Sequence, residues 1–432
     1  MPSPKEIASA GQPAEAELTQ FDGLVDSYGT KFTVPDYTLK QLRDAIPAHC
    51  FKRSAFRFLG YLNRDLFLIS GTFYIFHHYV TPSTVTSVGV RFALWTLYSF
   101  LQGLFGTGLW VLAHECGHQS FSKWSLLNDF TGWVLHSALF VPYFSWKISH
   151  KTHHSVTGHL QKDTSFMPKT RKEFAARETT SLQHLSEMTE EAPLRTFLEL
   201  ILQQLVGLPV YLLWNEAGRS EHGHRGKGLY NKPGGGVNHY NPNSPLFEPK
   251  HAWLIIFSDI GILLAGSALY WVGVTYGWLN MFIWYGVPYL WMNHWIVAIV
   301  YLHHTDPALP HYDDVAWTYV RGAAATMDRD LGFIGHHIFH GITSTHVLHH
   351  YFSAIPFYHA DEATAAIIPV MGPHYRSIGG GMLGFMASLW QSARWCQWVE
   401  PCEGVEGLGK HVKFFRNRNQ LGVPPENVSC QD

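Results

Sequence analysis

The chain has 432 residues, 46% apolar and 15% aromatic, with 31 Lys and Arg against 33 Asp and Glu for a formal charge of −2. Only 15% of the residues are charged, where a soluble domain carries about 25%, and the near-neutral balance excludes a nucleic-acid partner. Five cysteines with no C-x-x-C pair exclude a disulfide framework and read as reduced thiols, while 28 histidines in so apolar a chain point to metal.

Residues 1–35 hold Pro, Gly, Ser and acidic residues without the apolar core of a signal peptide, and read as a flexible tail. The stretch "DYTLKQLRDAIPAHCFKRSAFRFLGYLNRDLF" is basic and amphipathic and predicts a helix lying on a membrane. Leu66 to Val90 and Phe92 to Ala113 contain no Asp, Glu, Lys or Arg, and Ile260 to Leu302 continues for 43 residues without one. A crossing takes about 20 residues, so the last run holds two, broken near Gly277–Asn280. The predicted spans lie near 66–88, 92–113, 256–276 and 281–302, within a membrane domain over 36–400 and ahead of a C-terminal tail over 401–432. Two shorter runs, Phe130 to Trp146 and Ile201 to Trp214, are interrupted by Pro142 and Pro209 and read as interfacial or half-buried. None of these runs alternates polar faces as soluble core helices do.

Lys40, Arg43, Lys52, Arg53, Arg57 and Arg64 precede the first span, whereas the turn after it offers only Arg91. The N-terminal side is therefore cytosolic. Four spans return the segments after the second and fourth to that same side, and those segments carry the histidines. After the second come His114 and His118 in "LAHECGHQSF", then His150, His153 and His154 in "ISHKTHHSVTGH". After the fourth come His346, His349 and His350 in "TSTHVLHHYF".

Read alone, His114-Glu115-Cys116-Gly117-His118 is the H-E-x-x-H of zinc proteases, with Glu115 as general base. It also fits a site in which the two histidines bind metal and Glu115 lies off the ligand face. Residues i, i+3 and i+4 share one helix face, so each cluster offers two or three imidazoles. Eight exceed the four ligands of one tetrahedral zinc and suffice for two metals with open positions, which on Fe(II) suit O₂ activation.

"AHECGH", "HKTHH" and "HVLHH" resemble the three histidine boxes of the membrane fatty acid desaturases, and most of all the oleate Δ12 branch of fungi and plants. "LKQLRDAIPAHCFKRS", "VPYFSWKISHKTHH", "NHYNPNSPLF", "YLHHTDPALPHYD", "TMDRDLG" and "FSAIPFYHADEAT" extend the resemblance over roughly 35–400. It implies an all-α integral membrane protein with four transmembrane helices, interfacial helices and a cytosolic His-rich di-iron cap. The implied activity is oxidoreductive: two Fe ions and O₂ remove two hydrogens from a monounsaturated chain, oleoyl to linoleoyl, on an acyl-lipid or acyl-CoA among membrane lipids. The implied location is the endoplasmic reticulum membrane, with both termini cytosolic. Electrons would come from a separate cytochrome b5 and its NADH-dependent reductase, since "KPGGG" lacks the His of a fused haem domain's H-P-G-G.

The resemblance adds His304 to the eight box residues as a ninth ligand and leaves His303 a neighbour. It assigns no metal to His336, His337 and His340, which read as hydrogen-bonded, or to His77 and His78, which fall on the opposite side. Asp163, Asp328, Asp330 and Asp361 are candidate carboxylate partners of ligating imidazoles. Under this reading all the box histidines have a role, whereas the protease reading leaves six unexplained. Thr152, Leu348 and Ser344 depart from the branch, which commonly has a basic residue, Ala and Asp there. Relatives with hydroxyl, epoxy, acetylenic or conjugated products differ at such positions, so an acetylenase, hydroxylase or conjugase, or ω3/Δ15 regiochemistry, stays open. Asn427-Val428-Ser429 is a glycosylation sequon that cytosolic placement would silence.

Overall fold

The computed structural model describes residues 18–178, 193–218 and 236–417. The first part of the expected N-terminal tail and the sequon at Asn427 lie outside the described residues.

The chain opens with α1 (Leu39–Ala45), started by a capping box in which Thr38 and Gln41 each satisfy the other's backbone N–H. Two long helices follow, α2 (Ala55–Tyr79) and α3 (Val88–Gly117), with the Ser54 and Ser87 hydroxyls capping their first turns. At 30 residues, α3 is about 45 Å long, and its second half is buried from Tyr98 almost without interruption to Cys116. Next come α4 (Ser125–Ala138), α5 (Tyr143–Val156), α6 (Arg171–Glu178) and α7 (Pro193–Trp214). After them α8 (Ala252–Tyr276) ends at Gly277, whose φ of 93° suits a residue without a Cβ. The chain re-enters through α9 (Trp278–Met281) and a wide π turn at Phe282–Gly286 into α10 (Val287–His304). Short helices complete the chain: α11 (Tyr319–Ala324), α12 (His346–Phe352), α13 (Ala360–Met371) and α14 (Gly381–Trp395).

The centre of the bundle is α3 against α10. They approach at Gly103, where an added Cβ would collide with Trp291. The main core gathers there from Trp110, Val111, Leu112, Met292, Trp295 and Ile299. The outward faces are apolar too. Phe67, Phe92, Leu202, Leu263 and Trp271 are exposed on α2, α3, α7 and α8, more large exposed apolar side chains than a soluble monomer carries.

Long helices occupy all four segments expected to span. By length and apolarity, however, only two helices among the described residues qualify as crossings, Leu194–Trp214 and Pro249–Tyr276. The second contains the expected third span. The first was read as interfacial or half-buried because of Pro209, yet the helix runs through that proline with Leu194, Leu198 and Leu202 exposed. In α2 the first eleven of its 25 residues, Ala55 to Asp65, include Arg57, Arg64 and Asp65, which shortens its apolar run.

Five short strands sit at the histidine-bearing end. β5 (Val412–Arg416) is central between β1 (His311–Tyr312) and β4 (Trp398–Pro401), antiparallel to both, with Trp398 opposite Arg416 and His311 opposite Lys413. β2 (Asp328–Arg329) pairs in parallel with β3 (Ser377–Ile378). These strands draw in chain from both ends of the described residues. Val412 and Phe414 alternate inward at the strand period and bury Phe21, Leu24, Phe32 and Val34. Order therefore begins before residue 35 and continues past 401.

Candidate metal centre

α3 ends in the first histidine pair. His114 lies in its last turn and His118 caps it, so the i, i+4 spacing brings their Nε2 atoms to 3.2 Å. α5 crosses beneath them. His150 Nε2 is 2.9 Å from His114 Nε2 and 3.1 Å from His154 Nε2. His349 from α12 completes this first group: His114, His118, His150, His154 and His349 each place a ring nitrogen within 4.8 Å of the others.

The second group lies on the other side of α5. His153, one residue from His154, turns to His304 at the end of α10, with Nε2 atoms 3.3 Å apart. His304 Nε2 is 3.1 Å from His346 Nε2, which is 3.0 Å from His350 Nε2. The groups abut where the His154 and His350 rings stack at 4.2 Å. The structure thus brings together all nine candidate histidines and divides each of the second and third boxes between two clusters.

Ring chemistry tests whether these clusters suit metal. Burial pushes His349 down to about 3 and holds His150, His154, His346 and His350 well below the ordinary imidazole range, so the rings are neutral, with one N–H and one lone pair each. His153 Nδ1 donates to both oxygens of Asp163, at 2.8 and 2.9 Å, and His350 Nδ1 donates to the Thr157 hydroxyl at 3.0 Å. The His153 and His350 Nε2 atoms therefore carry lone pairs, which face the Nε2 atoms of His304 and His346. His349 Nε2 is buried without a hydrogen-bond partner. Metal–imidazole bonds are about 2.0–2.1 Å, which sets adjacent ligand nitrogens about 3 Å apart. The donor sets fit a cation in each group.

Carboxylates divide differently from the sequence expectation. Asp163 meets a box histidine. Asp328 instead accepts the Val347 N–H and the Tyr375 hydroxyl, both at 2.8 Å, and holds the first turn of α12. Asp330 accepts the Gly332 N–H, and Asp361 is exposed 3.8 Å from His336. Glu115 is the carboxylate that sequence reasoning missed. It lies off the Nε2 face as expected, yet it is buried 3.5 Å from His114 Nδ1 and 3.8 Å from His349 Nδ1, with the Ser120 hydroxyl donating to it at 2.7 Å. A protease base would face the metal side of the rings, so this placement removes the protease reading.

Other residues fall as expected or add a detail. His303 contacts the Ile299 and Thr343 carbonyls and stays outside both clusters. His340 faces buried Asp65 at 2.7 Å, an ion partner hidden in the apolar pattern of α2. Trp146 stacks on His150 at 4.3 Å and Trp110 on His114 at 5.6 Å. Arg329, fully buried, donates to the Leu302 carbonyl and Asp306 and ties the end of α10 to β2. A small cavity beside the first group is bounded by Val111, Glu115, Ile342, Leu348, His349 and Phe357.

A family model described as fatty acid desaturase matches residues 91–380. The chain belongs to the fatty acid desaturase family. It is an oxidoreductase, and its histidine clusters are able to hold metal. The desaturase is 52% identical over 423 residues to an oleate hydroxylase of Claviceps purpurea, covering 97% of this chain and 89% of that one. It is 40% identical over 381 residues to a Δ12 fatty acid desaturase of Mortierella isabellina, covering 87% and 91%. It is 40% identical over 391 residues to an ω6 fatty acid desaturase, endoplasmic reticulum isozyme 1, of Glycine max, covering 89% and 92%.

Proposed function

We propose that this chain is an endoplasmic reticulum acyl desaturase that converts an oleoyl-type chain to its Δ12 dienoic product. The nine ligands are His114, His118, His150, His154 and His349 for one iron and His153, His304, His346 and His350 for the other. The observation that carries the reading is the convergence of imidazole Nε2 atoms in two adjoining clusters, with the His153 and His350 lone pairs turned inward. Bound iron supplies O₂ activation. Electrons come from a separate cytochrome b5 and its reductase.

The chain's own residues do the rest. Asp163 and Thr157 hold protons on Nδ1 of His153 and His350, which keeps their Nε2 lone pairs inward. Neutral imidazoles cancel no cationic charge; Asp163 backs the second group, and Glu115, whose carboxyl burial raises above the usual range, stands behind the first, where a bound cation would favour its ionised form. Leu348, Ile342 and Val111 form an apolar wall beside His349 that excludes water and suits an acyl chain.

The topology proposed is four crossings, α2, α3, α8 and α9–α10. Helix α7 is long and apolar enough to cross but is kept along α10 without crossing, since an odd number of crossings between α5 and α12 would part the second box from the third. The cytosolic ends support it. Ser54 before α2 bonds Tyr358, and α3 and α10 both end in ligands. A C-terminal tag should be digested by protease added to intact microsomes, and protection of that tag would overturn this topology.

Hydroxylation is the second reading. It rests on the 52% identity to an oleate hydroxylase and on Leu348, a departure that lines the cavity beside His349. Lipid analysis after expression in a yeast lacking polyunsaturated chains separates the two. A dienoic product supports desaturation, a hydroxylated monoene supports the second reading, and neither product with iron bound refutes both.

A further inference from the structure

Two stretches singled out in the sequence, "IPAHCFKRS" and "PFYHADEAT", take no part in the histidine clusters, yet they meet. Ala48–Phe51 forms one short turn ahead of α2, and Phe357–His359 forms another ahead of α13. Their contact assembles His49, Cys50, His359 and Glu362, each offering a ligand atom within 4.8 Å of the other three. His49 Nε2 is 2.8 Å from Glu362 Oε2 and 3.8 Å from Cys50 Sγ. The His49 and His359 rings meet edge to face at 5.5 Å. His359 and Glu362 are three residues apart, the spacing that puts two side chains on one helical face.

We propose that His49, Cys50, His359 and Glu362 form a third metal site, which binds one Zn²⁺ tetrahedrally. The donor set is mixed nitrogen, sulfur and oxygen, the borderline-soft set that zinc takes. It is distinct from the all-imidazole clusters. The Cys50 thiol is fully buried while Glu362 and His49 are half exposed, so the ion enters from solvent and closes over the sulfur. On binding, the thiol S–H breaks, the sulfur pair bonds zinc and the proton leaves to solvent. Thiolate and carboxylate then cancel the two positive charges. An exposed His49–Glu362 ion pair alone would stabilise little, whereas a bound metal engages the buried thiol and His359 as well. The site fastens the start of α2 to the segment whose Phe357 and Ala360 line the cavity.

The test is cobalt substitution and zinc analysis of the purified full-length protein. Sulfur separates this site from the histidine clusters, since only a thiolate gives a sulfur-to-cobalt charge-transfer absorption. Wild type should show that absorption and contain one zinc per chain. Cys50→Ser should lose both, while His154→Ala keeps both. Should Cys50→Ser fail to fold, Glu362→Gln, at the exposed rim, should weaken zinc binding at least tenfold, and zinc should protect Cys50 from alkylation. No thiolate–cobalt absorption in wild type, an unchanged spectrum in Cys50→Ser, or zinc affinity and alkylation unaffected in Glu362→Gln would each overturn the site.

Discussion

Four of the five histidines in the first group stand on α3 and α5, with His114 and His118 at the end of the 30-residue α3 and tryptophans stacked behind the rings, and α12 adds only His349. The four-histidine group depends on α5, the last residue of α10 and the seven-residue α12. Polar contacts do there what packing does in the other group: Asp163 and Thr157 fix rings, Asp328 holds the start of α12, and Arg329 pins the end of α10. The first site is shaped by burial and the second by hydrogen bonds. Mutations should therefore damage them in different ways.

Loss of a ligand comes first because it spares neither group. His349→Ala or His154→Ala should abolish product while the protein stays membrane-bound, read by lipid analysis and fractionation; near-normal product from either would sink the two-metal reading. Next is Arg329→Met, which strips Asp306 of its buried partner. Removing one member of a buried pair costs about 3–5 kcal/mol. Thermal unfolding in detergent should show that loss, and retention of wild-type stability would remove the polar-pinning account of the second group.

The two carboxylates sharpen the contrast. Asp163→Asn should lower metal affinity about 10–100-fold, as outer-sphere partners of metal-bound histidines do, with one of the two metals lost first on titration with chelator. Glu115→Gln should cost less and retain appreciable activity, because its oxygens stand at 3.5 and 3.8 Å rather than in direct hydrogen bonds. His118→Gln should not retain it. The smallest effect belongs to Asp328→Asn. Burial already raises that carboxyl to about 7, so a neutral amide that still accepts the Val347 N–H should change stability by less than about 1 kcal/mol. A larger drop would mean that its charge matters.

The boxes were legible because i, i+3 and i+4 spacing is visible without a structure, and so was their convergence at one end of the bundle. Their division between two sites was not. It depends on which way His153 points, and that is set by Asp163 and by the arrival of His304 from a helix about 150 residues away. Asp65 was hidden for the same reason, since its partner His340 is distant in sequence. Pro209 misled because a proline tolerated within a helix looks, as sequence, like a break. The strand "VKFFR" has two adjacent buried phenylalanines and so no clean alternation, and its partners at His311 and Trp398 are too short to announce a sheet. The Glu115 contact required knowing that a third-box ring, His349, sits over the first box.

One feature of α5 has a mechanical result. His150, His153 and His154 fill a single turn, two serving one group and one the other, while α12 divides His346, His349 and His350 in the same manner. The interval between the groups is therefore measured along helix turns, whose rise is fixed by backbone bonding. Bending of the bundle in a fluctuating bilayer displaces both groups together. To draw them apart, α5 and α12 would each have to unwind.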